Sequence, residues 1–341
     1  MLTPLLSSKE LFELMRLIQN SRNIVICCHH GPDGDAIGSS LGLQFYLRGL
    51  HKKTNIVAPS PYPDFLKWMP ENRSITVYSE QKSTAIHLID SADLIFCLDF
   101  NAFHRLNAMQ EILEKSKAIK VMIDHHENPE EEKFNLVISQ PQMPSTSEMI
   151  FHIIYQLGAY EKMSRSHAAC IYTGMMTDTG AFTYNSNNPE TFYIIALLMK
   201  RGIDKDEIYK KVYHSWSANK LKLWSYILNN NLTFYANNSA CIYTLTREEM
   251  KTYKYIRGDA EGLVNEPLKI KGMKLSIALR EDTEENIIRV SMRSANGFHC
   301  RQLAEEWFNG GGHEDAAGGK LPMPMEEAVK TAEKAIESID F

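Results

Sequence analysis

The stretch His29-His30-Gly31-Pro32-Asp33-Gly34-Asp35-Ala36-Ile37-Gly38-Ser39 decides how this chain is read. Just before it, residues 24–28 form a short β-branched apolar run of the kind that makes a buried strand. Just after it, Ala36, Gly38 and Ser39 open a helix whose small residues allow close packing on a sheet. Gly34 lets the backbone turn sharply between two carboxylates, and Pro32 is expected to hold Gly31 extended. Ligands of open α/β sheets collect at the carboxyl ends of the strands, where this loop falls. His29, Asp33 and Asp35 converging there suit a divalent cation, with one carboxylate reaching a second cation, and so suit hydrolysis. The same residues also suit a polar strand-to-helix turn with Asp35 as the helix N-cap. The loop by itself leaves both readings open.

A chain of 341 residues is long enough for two domains with separate cores. A net charge of −5 argues against a broad electrostatic grip on long duplex nucleic acid, but leaves room for a compact anion held by cations. Six cysteines show no CxxC pairing, and Cys27 and Cys97 lie in apolar runs, which suits buried thiols in a cytoplasmic protein. The N-terminus lacks the basic start and apolar core of a signal peptide, and no run reaches the ~18 apolar residues of a membrane span.

Strand candidates at 24–28, 54–58, 94–98, 119–123 and 135–139 alternate with helical stretches such as 36–50, 84–89 and 109–117. That alternation predicts a largely parallel α/β sheet. Helical spacing dominates 146–157, 164–176, 189–200, 205–212 and 217–228. Strand pairs follow at 232–235 with 240–245, and at 273–279 with 287–292; helices are expected at 247–253, 299–308 and 325–339. The division is a first domain over 1–214, a helical linker over 215–231 and a smaller α/β domain over 232–341.

Three further segments fit the opening loop. The run 94–98 ends directly in Asp99, the run 121–123 ends in Asp124-His125-His126, and 171–177 runs into Asp178. Were these neighbouring parallel strands, their acidic ends would meet at one rim. So many carboxylates ionise together only with compensating positive charge. A set of Asp and His without Cys suits Mn²⁺ or Mg²⁺ better than structural zinc. In the C-terminal half, Asn309-Gly310-Gly311-Gly312-His313 resembles a backbone anion nest, and Arg293 closes a strand as a candidate phosphate clamp.

Together these motifs resemble the DHH/DHHA1 phosphoesterase superfamily, most closely its nanoRNase/pAp-phosphatase branch. The likeness rests on HHGPDGDAIGSS at 29–40, LDFNAFHRL at 98–106, DHH at 124–126, GMMTDTGAF at 174–182 and NGGGHEDAAGG at 309–319. It implies a parallel-sheet DHH domain, a helical linker and a smaller α/β DHHA1 domain, with the active site in the cleft between the domains. It implies two Mn²⁺ ions, with Mg²⁺ or Co²⁺ as alternatives: His29 and Asp33 on one, Asp35, His125 and Asp178 on the other, Asp99 bridging. Asp124 would support the ligands from behind, and His126 would act near the scissile phosphate. Arg105, Arg293, Gly311, Gly312 and His313 would contact substrate. The implied substrates are short oligonucleotides, linear dinucleotides or pAp, cut to mononucleotides by a homodimer. A cyclic-dinucleotide phosphodiesterase and a nucleotide sensor without turnover are the alternatives. A family II pyrophosphatase is disfavoured because Ser294, not lysine, follows Arg293.

Overall fold

The computed structural model describes residues 2–341 and divides into two compact units, Met1–Ser215 and Trp216–Phe341. In the first unit, α1 (Ser8–Asn20) starts at a capping box between Ser7 and Glu10. The chain then runs β1 (Asn23–Cys27), α2 (Gly34–Gly49), β2 (Lys53–Ala58), β3 (Ile75–Val77), α3 (Lys82–Asp90), β4 (Leu94–Leu98), α4 (Gln110–Lys115), β5 (Ile119–Asp124) and β6 (Leu136–Ser139). Four helices follow: α5 (Thr146–Gln156), α6 (Arg165–Asp178), α7 (Pro189–Lys200) and α8 (Lys205–Tyr213).

The six strands form one parallel sheet in the order β3-β2-β1-β4-β5-β6. Strand order therefore reverses between β1 and β4, which opens a crevice at their carboxyl ends. Both faces are covered. Ile24 and Ile26 of β1 join a core that includes Ile37, Leu41, Ile150 and Ile171, whereas Val25 and Cys27 join one with Ala85, Ile89 and Leu113. That is why the strands read as continuous apolar runs. Strand β3 escapes sequence reading because its three residues are too few for a pattern.

Helices α2 and α6 cross with almost no side chain between them. A Cβ on Gly38 would lie 2.8 Å from the Gly174 Cα and from the Cys170 carbonyl. A Cβ on Gly34 would lie 2.2 Å from the Thr177 hydroxyl. Helix α6 bears out the helical spacing of 164–176 and corrects the strand-end alternative: Asp178 arrives on the last residue of the helix. Ser164 caps that helix by accepting the His167 N–H, so the apolar stretch before Asp178 is its buried face.

The second unit begins with α9 (Ala218–Tyr226), which passes into a π-turn over Ile227–Asn231. It continues as β7 (Leu232–Tyr235), β8 (Ala240–Leu245), α10 (Arg247–Thr252), β9 (Leu275–Glu281), β10 (Ile288–Ser294), α11 (Arg301–Trp307), β11 (Gly311–His313), β12 (Ala316–Leu321) and α12 (Met325–Glu337). The sheet order is β11-β12-β10-β9-β8-β7, antiparallel except between β8 and β9. One face packs Ile242, Ile277 and Met292 against Ala304, Phe308 and Ile336. The other packs Tyr243, Leu245 and Ala278 against Leu223, Trp224 and Ile227. All six cysteines are free and buried, and among the described residues no helix is long and apolar enough to cross a membrane.

Candidate metal centre and phosphate contacts

The loop after β1 does not take the form expected of a simple turn. Gly31 sits at φ +70° instead of extended. The N-cap of α2 is Asp33, not Asp35: its Oδ1 accepts the N–H groups of Asp35 and Ala36, both at 3.0 Å. Asp35 is thereby free to face inward. Its carboxylate is fully buried against the start of α5, where Oδ2 accepts the Thr146 N–H at 2.7 Å and Oδ1 the Ser147 N–H at 2.8 Å. A helix N-terminus is a natural seat for an anion.

Asp99 follows β4 directly and adopts φ +63°, a left-handed conformation rare outside glycine, Asn and Asp. Its Oδ1 accepts the Thr146 hydroxyl at 3.1 Å. Strand β5 ends in Asp124, whose two oxygens take the His126 Nδ1 at 2.8 Å and the His126 backbone N–H at 3.0 Å. Asp124 thus fixes the His126 ring and leaves Nε2 pointing away from it.

The two other imidazoles are oriented by carbonyls. His29 Nδ1 lies 3.0 Å from the His30 carbonyl and His125 Nδ1 lies 3.1 Å from the Met143 carbonyl. A carbonyl only accepts, so each Nδ1 carries a hydrogen and, once the ring is neutral, each Nε2 is the nitrogen with a lone pair to offer. His29 Nε2 faces Asp99 Oδ2 at 3.5 Å and Asp33 Oδ2 at 3.8 Å. His125 Nε2 faces Asp178 Oδ2 at 3.3 Å and Asp99 Oδ1 at 3.5 Å.

Two triads result. The donor atoms of His29, Asp33 and Asp99 all lie within 4.8 Å of one another, as do those of Asp35, Asp99 and His125. Asp99 belongs to both, one oxygen toward each. Ligands about 2.1 Å from a common octahedral ion stand about 3 Å apart, so the spacings are close to those of ligands around one ion. This oxygen-rich donor set with imidazole and no thiolate fits a divalent ion of the Mn²⁺ or Mg²⁺ kind.

The electrostatics fit as well. Burial alone would depress His29, but the Asp33 and Asp99 carboxylates outweigh it and hold the imidazole up at about 10. His125 is likewise held well above its ordinary value, against burial, chiefly by Asp178 and Asp99. Burial pushes Asp35 up, reinforced by the charges of Asp99 and Asp178. Burial opposes the Asp99 charge too, yet His125 and His29 keep that carboxyl well below its usual range. Shared protons offset the charge of these carboxylates, and a metal ion bound there would displace those protons. Arg105 lies close enough to lower both His29 and His126, and its buried Nη1 finds no acceptor among the described residues. An anion would satisfy it.

In the second unit, Arg293 sits on β10 opposite Ala316 and Ser276, and its Nη1 donates to the Met292 carbonyl at 2.8 Å. The glycine-rich segment is not the open nest expected from its composition. It is the hairpin β11–β12, with Gly311 opposite Gly318, Gly312 opposite Ala317 and His313 opposite Ala316. Most of its glycines answer to packing: a Cβ on Gly310 would meet the Gly318 carbonyl at 1.8 Å, and one on Gly319 the Phe308 carbonyl at 2.1 Å. Gly312, at φ +142°, would meet the Ala316 carbonyl at 2.5 Å. Gly311 alone of this group has open space around it.

The structure thus brings His29, Asp33, Asp35, Asp99, Asp124, His125, His126, Asp178 and Arg105 together in the first unit. In the second, Arg293 lies on β10 and Gly311, Gly312 and His313 on β11, with β12 between the two strands. Sequence reading misses Thr146 and Ser147, whose N–H groups hold Asp35, and Gly174, whose missing side chain leaves room for it. The pattern Ser145-x-x-Glu148 does announce a helix start there. It carries no sign of what that start faces.

Comparison with known proteins follows the same division. The model of the DHH family, N-terminal domain, matches residues 23–175, and that of the DHHA1 domain matches residues 238–339. A bifunctional oligoribonuclease and PAP phosphatase NrnA of Thermus thermophilus is 27% identical over 333 residues, spanning 95% of this chain and 94% of that protein. Its namesake from Bacillus subtilis is 27% identical over 313 residues, 91% of this chain and 92% of the other. The crystal structure of an exopolyphosphatase-related protein from Bacteroides fragilis is 47% identical, covers 98% of both chains and superposes with a TM-score of 0.92. With both family domains in order, and that relative matched almost end to end, the chain belongs to the DHH/DHHA1 phosphoesterase family.

Proposed function

We propose that the protein is a two-metal phosphohydrolase, Mn²⁺-dependent, which cuts short oligonucleotides and pAp to mononucleotides. The observation that carries this is Asp99, whose two oxygens face the two triads separately. His29, Asp33 and Asp99 would hold one ion; Asp35, His125, Asp178 and Asp99 would hold the other. Bound there, the ions supply positive charge to the phosphate oxygens and lower the pKa of a water toward neutrality. The NrnA relatives, similar over nine-tenths of the chain, support the substrate class.

The side chains of this chain do the rest. His126, held by Asp124, gives a proton to the leaving oxygen or stabilises its charge as the phosphorus–oxygen bond breaks. Burial keeps its imidazolium a stronger acid than a free one, which favours that transfer. Arg105 turns a buried, unsatisfied guanidinium N–H to the phosphate. Arg293 and His313 take the terminal phosphate, with Gly311 leaving it room; Gly312, expected to do the same, is closed by the Ala316 carbonyl. The reading places the protein in the cytoplasm, in keeping with six unpaired thiols, and as a homodimer, which light scattering checks.

The test is a metal-stripped preparation reloaded with Mn²⁺ and offered pAp, linear dinucleotides and cyclic di-AMP, with products resolved by chromatography. Metal-restored release of mononucleotide from the first two supports the reading. Turnover that survives chelation overturns it, and so does tight nucleotide binding with no turnover, the behaviour of a sensor.

A further inference from the structure

The sheet of the second unit carries a row of cations that the assigned phosphate site does not use. On β10, Arg289, Ser291 and Arg293 alternate with buried Ile288, Val290 and Met292, so the three share one face. The register places Arg289 directly opposite Arg280 of β9 on one side and Lys320 of β12 on the other. Three adjacent strands therefore present Lys320, Arg289 and Arg280 side by side. Like charges in direct cross-strand register destabilise a sheet, so a row of three calls for a reason.

Only the middle member is neutralised at home. Arg289 pairs with Asp282 at 2.6 Å and with Glu285 at 3.4 Å. Arg280 is propped by the Tyr255 hydroxyl, to which its Nη1 donates at 3.1 Å, and carries no ion pair among the described residues. Lys320 is exposed and likewise carries none. Between this row and Arg293 lies the row of Gly318 and Ser291, with Ser291 exposed, so nothing bulky stands in the way. Tyr255 also lines a cavity of about 300 Å³ whose other walls include Arg247, Lys251 and Lys254. Arg247 gives its guanidinium to the Asp282 and Glu285 carbonyls, which leaves its charge uncompensated by them.

The positive charge is thus a track from Arg293 across two same-face steps to Lys320 and Arg280; beyond it, Tyr255 and the lysine-lined cavity also have Asp259, Glu261 and Glu281 close by. The two rows are about 14 Å apart, four residues of antiparallel strand at about 3.4 Å each. One mononucleotide does not span that distance; a short extended single strand does. We propose that this face is a backbone-binding track for single-stranded oligonucleotides longer than two residues, with Lys320 and Arg280 taking phosphates beyond the one assigned to Arg293. The proposal rests on the phosphoesterase reading for its choice of ligand. It adds that the enzyme grips longer substrates more tightly than pAp.

The test uses the full chain with Lys320→Ala and Arg280→Gln, each checked for unchanged circular dichroism. Fluorescence anisotropy in chelator follows labelled single strands of two, four and six nucleotides, with turnover of the same strands in Mn²⁺ measured separately. Each variant should weaken binding of the four- and six-residue strands about tenfold, the worth of one charge-assisted hydrogen bond. Dinucleotide and pAp binding should stay within twofold. The slope of log affinity against log salt for the longer strands should flatten by about 0.7 for each phosphate deprived of its cation. Equal weakening for all lengths, no weakening for any, or equal competition by an acidic peptide of matched charge would each overturn the track. A failed phosphoesterase reading shows differently: no metal restores turnover, whatever the anisotropy reports.

Discussion

The two units treat charge in opposite ways. In the first, three acidic groups of the candidate centre are held from behind before any ligand arrives: Asp33 by the first turn of α2, Asp35 by the start of α5, Asp99 by Thr146. Asp35 and Asp99 are buried together with His29 and His125, and the carboxylates and imidazoles neutralise one another. In the second, Lys320 and Arg280 lie on a sheet face with no acid of their own. A buried cluster that shares its charge suits small, strongly bound cations and chemistry that needs fixed geometry. A face with two unpaired cations suits a larger anion held mostly by charge. Rigidity belongs to the first site and attraction to the second.

The largest effect should come from the residue that both triads share. Asp99→Asn keeps a side chain that tolerates the left-handed backbone and removes one charge. Metal content by mass spectrometry should drop, and turnover should fall about a thousandfold or more. Retained metal with unaltered turnover would dissolve the contrast between the units.

Next comes the support behind the centre. Glu148, in the first turn of α5, is fully buried with one oxygen on the Thr191 hydroxyl and the other unsatisfied. Burial raises its carboxyl to about 7, against the smaller opposing pull of Thr191. A raised acid stabilises the fold below its unfolded value near 4.5, and that contribution is lost as pH rises through 7. Glu148→Gln should therefore match the wild type near pH 4 and exceed it by up to about 3 kcal/mol near pH 8. Urea denaturation at the two pH values checks this; a pH-independent difference contradicts it.

Gly174→Ala should cost less but reach the site directly. The new methyl would lie 1.9 Å from the Ser147 hydroxyl and 2.9 Å from Asp35 Oδ1. Overpacking of this kind costs about 1–3 kcal/mol. A lowered Tm with a weaker metal dissociation constant is expected, whereas a lower Tm alone would mean that the α2–α6 packing does not set Asp35.

How much of this is legible in the sequence depends on how far apart along the chain the partners stand. The strands and their acidic ends are readable because Asp99 and Asp124 follow apolar runs without interruption, a local signal. Asp33 and Asp35 are visible as a pair, but not which of them caps the helix, because that depends on the left-handed turn at Gly31. The bond from Thr146 to Asp35 spans 111 residues and leaves no local trace. Strands β11 and β12 are hidden for another reason: Gly-Gly-His and Ala-Ala-Gly-Gly-Lys-Leu hold their place by backbone pairing and close approach, so they show no alternation of apolar side chains.

The smallest expected change in stability is the most discriminating, because it separates packing from recognition within the hairpin itself. At Gly310 and Gly319 an added methyl would strike backbone at 1.8 and 2.1 Å, so alanine there should lower the Tm whatever the protein binds. At Gly311 the methyl meets nothing within 4 Å, and the fold gives no reason for glycine. Gly311→Ala should leave stability within about 0.5 kcal/mol. If a terminal phosphate lies over that strand, the same methyl should raise KM for pAp and dinucleotides severalfold while kcat stays near the wild type, since binding is weakened equally in the ground and transition states. An unchanged KM would move the phosphate off the hairpin and leave Arg293 to hold it from β10.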